Sequence, residues 1–174
     1  MNKEEFEQAF DSVVVEPLAQ LGFKAVGRSL HAFMGDAEVA VIRLGGRMSR
    51  QGAVAHIICG RKTWLRTREE TVPQRFVREV FDYPFKLRPS NMLKETLAYA
   101  PSNLNYEYDV LHFEATAADS VIHDLSGVRN AVEVFSAWLA ALPAESLLQQ
   151  FETRGEDAWI ERIWIDDCRA RVGK

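Results

Sequence analysis

Apolar residues at Phe6, Phe10, Val13, Val14, Leu18 and Leu21 recur at the three- and four-residue spacing that lines one face of a helix. Asn2 followed three residues later by Glu5 predicts a capping box, in which the Asn side chain accepts from an early backbone N–H and the Glu reaches back. Pro17 removes one backbone donor and crowds the preceding turn, so a kink or restart is expected near residues 15–17. Gly22 predicts a left-handed stop, with Phe23 packing back on the helix.

The pattern then changes to short runs rich in Val, Ile and aromatic residues. Ala25 to Met34, Glu38 to Leu44 and Ala53 to Cys59 read as strands of an antiparallel meander, separated by Gly35-Asp36 and by a longer connection from Gly45 to Gly52. The run Val39-Ala40-Val41-Ile42 is apolar on both faces, which predicts a strand covered on both sides. Trp64 to Phe85 mixes helical spacing after Pro73 with strand-forming residues and reads as irregular with a short helix. Phe85 to Arg88, before Pro89, reads as a brief edge strand, Met92 to Tyr99 as a short helix, and Tyr106 to Ala115 as a late strand.

The last third has helical periodicity. Val128, Val132, Phe135, Leu139 and Leu142 make one stripe. Pro143 opens a second helix carrying Leu147, Leu148 and Phe151, and Trp159, Ile160, Ile163 and Trp164 mark a third. Together these elements predict one α+β domain over 1–174: an antiparallel sheet of about four to six strands, with an N-terminal helix and a C-terminal helical group packed on one face.

The first amphipathic helix, Leu21-Gly22-Phe23-Lys24, the following strand, the Val39 to Leu44 strand, and the run Leu139-Ala140-Ala141-Leu142-Pro143 leading to Phe151-Glu152-Thr153 resemble the bacterial family catalogued as domain of unknown function 4304. The resemblance covers most of the chain, and the central basic region departs from it. It implies a fold and a bacterial source, and it carries no activity over to this sequence.

Composition changes this picture mainly through charge. The 174 residues carry a formal net charge of −4, but the sign is segregated. From Arg47 to Lys94 there are eleven Lys/Arg against four Asp/Glu, a local charge of +7, whereas residues 1–46 carry −3 and residues 95–174 carry −8. If Arg47, Arg50, Arg61, Lys62, Arg66, Arg68, Arg75, Arg78, Lys86 and Arg88 share a face, they would attract phosphate or an acidic protein surface. The alternative is that they face the acidic C-terminal third within the fold. An acidic start without a basic–apolar leader, and the absence of an apolar run of ~20 residues, lead to the expectation of a cytoplasmic protein that does not enter a membrane. Cys59 and Cys168 are too few and too distant for a disulfide framework and read as buried apolar side chains.

Candidate chemistry is sparse. None of His31, His56, His112 and His123 has the spacing of a zinc-protease helix. His31 and His56 fall on adjacent expected strands and could face each other, and His112 would share a strand face with Glu114. Gly45 to Arg50 lacks the glycine spacing and Lys-Ser/Thr pair of a nucleotide loop and reads as a hairpin loop. Asp166-Asp167 point about 100° apart on a helix and read as solvated. Trp64 among Arg61, Lys62, Arg66 and Arg68 fits base stacking with phosphate contacts, and equally a protein-binding hot spot.

No catalytic, metal or cofactor site is expected from these residues. The expectation that follows is a non-enzymatic domain that binds another protein, of an immunity or accessory type. In that reading Asp119, Asp124, Glu152, Glu156 and Asp157, with Glu133 and Glu145, meet a basic partner. The alternative is a nucleic-acid or nucleotide-binding protein that uses the 47–94 segment. A third reading is a metal-dependent hydrolase with histidines gathered by the sheet.

Overall fold

Asn2 caps the first helix as its spacing predicts. Its side chain accepts from Glu5 N at 3.0 Å, and Glu5 Oε2 accepts from Asn2 N at 2.8 Å. The computed structural model describes residues 1–44, 51–67, 80, 83–89, 109–154 and 159–173. Helix α1 spans Lys3–Phe10 and buries Phe6 and Phe10. We expect Asn2→Ala to cost about 1 kcal/mol in denaturant unfolding, because it orphans one early N–H of the helix.

The interruption expected at Pro17 is real, but it is spread upstream. Asp11–Val15 forms a π-helical turn, and α2 restarts over Glu16–Gln20 with Pro17 in its first turn, so the missing N–H and the ring fall where the regular α-helical ladder is already broken. The stop at Gly22 is a Schellman motif. Gly22, at φ +91°, donates to Ala19 O, while Phe23 donates to Leu18 O at 3.1 Å.

The sheet begins with a meander of β1 (Lys24–Val26), β2 (Ser29–Met34), β3 (Ala37–Leu44) and β4 (Ala53–Lys62), each antiparallel to the last. The run expected as one strand from Ala25 to Met34 is instead a hairpin. Gly27 at φ +64° takes the first position of a two-residue turn, and Val26 pairs with Ser29 across it. The β2–β3 turn repeats the device with Gly35 at φ +61°.

Two short strands share the remaining edge of β4. Strand β6 (Asp109–His112) pairs with residues 53–56, and β5 (Phe85–Leu87) pairs with residues 58–60. The late strand is therefore described over 109–112, and its expected start at residues 106–108 lies outside the described residues. The same is true of the expected helix at Met92 to Tyr99 and of most of the Trp64 to Phe85 stretch, from which Val80 and Tyr83 are described and buried.

Helices α3 (Ala118–Ala141), α4 (Ala144–Arg154) and α5 (Trp159–Val172) complete an α+β fold. Alternation along β3 and β4 sorts the sheet into two faces. Val39, Val41, Val54 and Ile58 join Phe6, Phe10, Val14 and Leu18 of the N-terminal helices and Val121, Leu125, Val128, Val132, Phe135 and Leu139 of α3 in one core. On the opposite face Ala40, Ile42, Ile57 and Cys59 pack with Val80 and Tyr83. Residues 39–42 are covered on both sides, as their unbroken apolar run requires.

Candidate functional site

The residues with the most chemistry gather at the C-terminal end of β4, where Arg61, Lys62, Trp64 and Arg66 follow one another. Alternation sends Arg61 and Lys62 to opposite faces of the sheet. Arg61 meets its cross-strand partner Glu38, with Nε donating to Oε2 at 2.7 Å, and its Nη1 donates to Leu65 O at 2.7 Å. The Tyr83 hydroxyl donates to the other carboxylate oxygen at 2.9 Å. Glu38 and Tyr83 have no exposed surface, and Arg61 retains only 7%. Burial first, and then the Glu38 charge, push the Tyr83 phenol well above its ordinary range, so it acts as a fixed hydrogen-bond donor.

On the helix face, Lys62 Nζ donates to Asp36 Oδ1 at 2.8 Å and to Ala140 O, in the last turn of α3, at 3.2 Å. Trp64 Nε1 donates to the second Asp36 oxygen at 3.0 Å, and the Arg171 guanidinium lies 5.9 Å from the Trp64 ring centroid. Partial burial works to raise the Asp36 carboxyl. The hydrogen bonds from Lys62 and Trp64 outweigh it and hold the group below the usual carboxylate range.

Arg66 closes the cluster from the other side. Asp167 accepts both its backbone N–H at 2.8 Å and its Nε at 2.7 Å, and Trp164 Nε1 donates to Arg66 O at 2.9 Å. The expectation that Asp166 and Asp167 are both solvated therefore fails for Asp167. It points inward because residues 65–67 pass beside α5 and leave a backbone N–H that needs an acceptor. We expect Asp167→Ala to lower stability by about 1 kcal/mol, read by denaturant unfolding, and to loosen the 64–67 segment without disturbing the sheet.

Arg61, Lys62 and Arg66 are thus each held by a carboxylate, and the third pair joins the basic middle of the chain to its acidic end. Arg47, Arg50 and Arg68 lie outside the described residues, as do Glu156 and Asp157. Asp119 and Asp124 are exposed on the first turns of α3, and Glu152 is exposed on α4, 2.8 Å from Arg169.

The histidines do not converge. His31 is the register partner of Ala40 and His56 of Arg43, so the two lie on opposite faces with β3 between their strands. The expectation that they face each other is corrected by β3, which pairs with both strands and separates them, and by the period-two alternation. His112 ends β6 and Glu114 sits beyond it in a turn, where its carboxylate occupies the space beside Gly52 that a Cβ would need. His123 is exposed on α3. Among the described residues, no three His, Cys, Asp or Glu side chains come together as metal ligands. Cys59 and Cys168 are free and buried, and burial pushes both thiols up, Cys168 to about 12. Among the described residues, no single helix is long and apolar enough to cross a membrane.

Sequence reasoning missed the role of Asp36 as the acceptor of both Lys62 and Trp64. The one signal for it is its position in the Gly35-Asp36 turn, beside the end of a strand that finishes in cations. The chain matches no protein-family model, no curated protein and no solved structure.

Proposed function

We propose that the protein is a non-enzymatic binding domain that recognises a basic partner protein through the outer surface of its N-terminal helices and α3, in the manner of an immunity or accessory protein. One observation carries this reading: the cations Arg61, Lys62 and Arg66 at the end of β4 already hold carboxylates of this chain, the first two within the fold and Arg66 at its surface, while carboxylates on these helices remain exposed. Glu4, Glu5, Asp11 and Glu16 are exposed on the N-terminal helices, and Asp119 and Asp124 are exposed on α3. The π-helical turn and α2 pack against α3, so the two sets belong to neighbouring elements. Ile122, between Asp119 and Asp124, is 40% exposed and supplies an apolar contact within the acidic surround. Such an arrangement favours fast, salt-dependent association with a cationic protein surface.

The test is charge reversal on exposed helix positions that make no contact with the core. With the captured partner in hand, Asp119→Lys combined with Asp124→Lys should weaken binding at least about tenfold, chiefly through a slower on-rate, and flatten its salt dependence. Affinity and salt dependence equal to those of the unaltered protein would remove the reading. The nucleic-acid alternative gains no support from Arg61, Lys62 and Arg66, because each already holds a carboxylate.

A further inference from the structure

On the helix face of the sheet, among the described residues, two neighbouring buried side chains each leave a polar atom without a hydrogen-bond partner, His56 Nε2 and Arg43 Nε. His56, fully buried in the middle of β4, stacks on Phe10 of α1 with centroids 5.2 Å apart and planes 6° from parallel, and its Nε2 has no hydrogen-bond partner. Its register partner on β3, Arg43, bridges to Glu7 of α1 through Nη1 and Nη2, at 2.6 and 2.9 Å, and lies over the rings of Phe6 and Phe10. On its other side the register partner of His56 is Asp109 of β6. Arg28 and Lys3 add positive charge near Glu7. Immediately after Phe10 the helix changes to the π-helical turn, a place where helical hydrogen bonds are already irregular and the chain bends readily.

We propose that α1 is an acid-released clasp: protonation of His56 beneath Phe10 drives α1 off the sheet about the Asp11–Val15 turn, while α3 and the meander stay folded. A charged imidazole in that place has no hydrogen-bond acceptor at Nε2 and sits beside the Arg43 guanidinium. Lifting α1 opens the same imidazole to water. Glu7 acts in the same sense, since its hydrogen bond from Arg43 holds it below the usual carboxylate range and that attachment is lost once it takes a proton.

Burial above all, then Arg43, lower the His56 pKa from 6.5 to about 3, with Glu7 opposing. The closed state therefore binds the proton more weakly than the open one, and closure is favoured above pH 6.5. As the pH falls from 6.5 towards 3, the opening equilibrium constant rises about tenfold per pH unit.

Hydrogen exchange of the full chain, followed by mass spectrometry from pH 7 to pH 4 and normalised to the intrinsic amide rate at each pH, reads this constant directly. Amides of Lys3–Phe10 should lose protection about tenfold per pH unit below pH 6.5, while Val128–Leu139 of α3 remain at least about tenfold better protected. His56→Phe, which keeps the aromatic stack and removes the imidazole titration, should make α1 protection independent of pH between pH 7 and pH 5, leaving only the Glu7 contribution at lower pH. Glu7→Gln, on the solvent side of the clasp, should lower α1 protection already at pH 7 and leave the slope between pH 6.5 and pH 5 unchanged. Identical protection of α1 and β4 at every pH, an unchanged slope in His56→Phe, or unchanged α1 protection in Glu7→Gln would each overturn the proposal.

Discussion

Replacing Arg61 with methionine should destabilise the protein by about 3–5 kcal/mol, the usual cost of breaking a buried ion pair from one side. Methionine preserves most of the apolar stem but takes from Glu38, which has no exposed surface, the Arg61 guanidinium 2.7 Å away. Against a total stability on the order of 5–15 kcal/mol, such a loss is a large fraction of the whole. The double variant Glu38→Gln with Arg61→Met should recover much of it, since glutamine removes the charge and still accepts from the Tyr83 hydroxyl. Denaturant titrations of the three variants measure both numbers. A single-variant loss under about 1 kcal/mol would mean that water reaches this pair.

Gly60→Val should cost about 3 kcal/mol, at the upper end for overpacking a core. A Cβ at this position would lie 2.5 Å from Phe135 Cε1 and 2.6 Å from Leu139 Cδ2, so these buried side chains or α3 itself would have to shift. Valine is otherwise a good strand residue, which makes the sign of the effect a test of packing alone. For a chain of this size the loss corresponds to a fall in Tm of roughly 6–12 °C. Trimming the obstacle in the double variant Gly60→Val with Leu139→Ala should cost less than the two single losses added together. A Gly60→Val protein as stable as the parent would show that the helix–sheet contact is looser than these distances state.

What the sequence made legible follows from which interactions are local. The capping box at Asn2 and Glu5, the stop at Gly22 and the doubly buried run from Val39 to Ile42 depend on neighbours within a few residues, so spacing alone exposed them. The Gly27-Arg28 hairpin went unseen because one glycine inside an apolar run also suits a bulge. The sheet's chemistry was hidden for a different reason. Arg61 and Glu38 meet only once the register across a long connection is known, and Tyr83 arrives from 45 residues beyond Glu38. Asp167 reaches Arg66 across 101 residues. Charge segregation showed that such pairs were available, but it held no information on which cation met which carboxylate. The same gap separated the histidines: their places on expected strands said nothing of the face each occupies.

In the proposed function, Arg61, Lys62 and Arg66 brace the fold and the acidic helices meet a partner. Capture from a lysate of the source organism with the tagged full chain, with and without nuclease and at low and high salt, tests it most directly. The account predicts one stoichiometric basic protein, retained after nuclease, released as salt rises, and lost when Asp119 and Asp124 are reversed in charge. Recovery of nucleic acid, with every co-purifying protein lost on digestion, would contradict it and return the function to the basic segment.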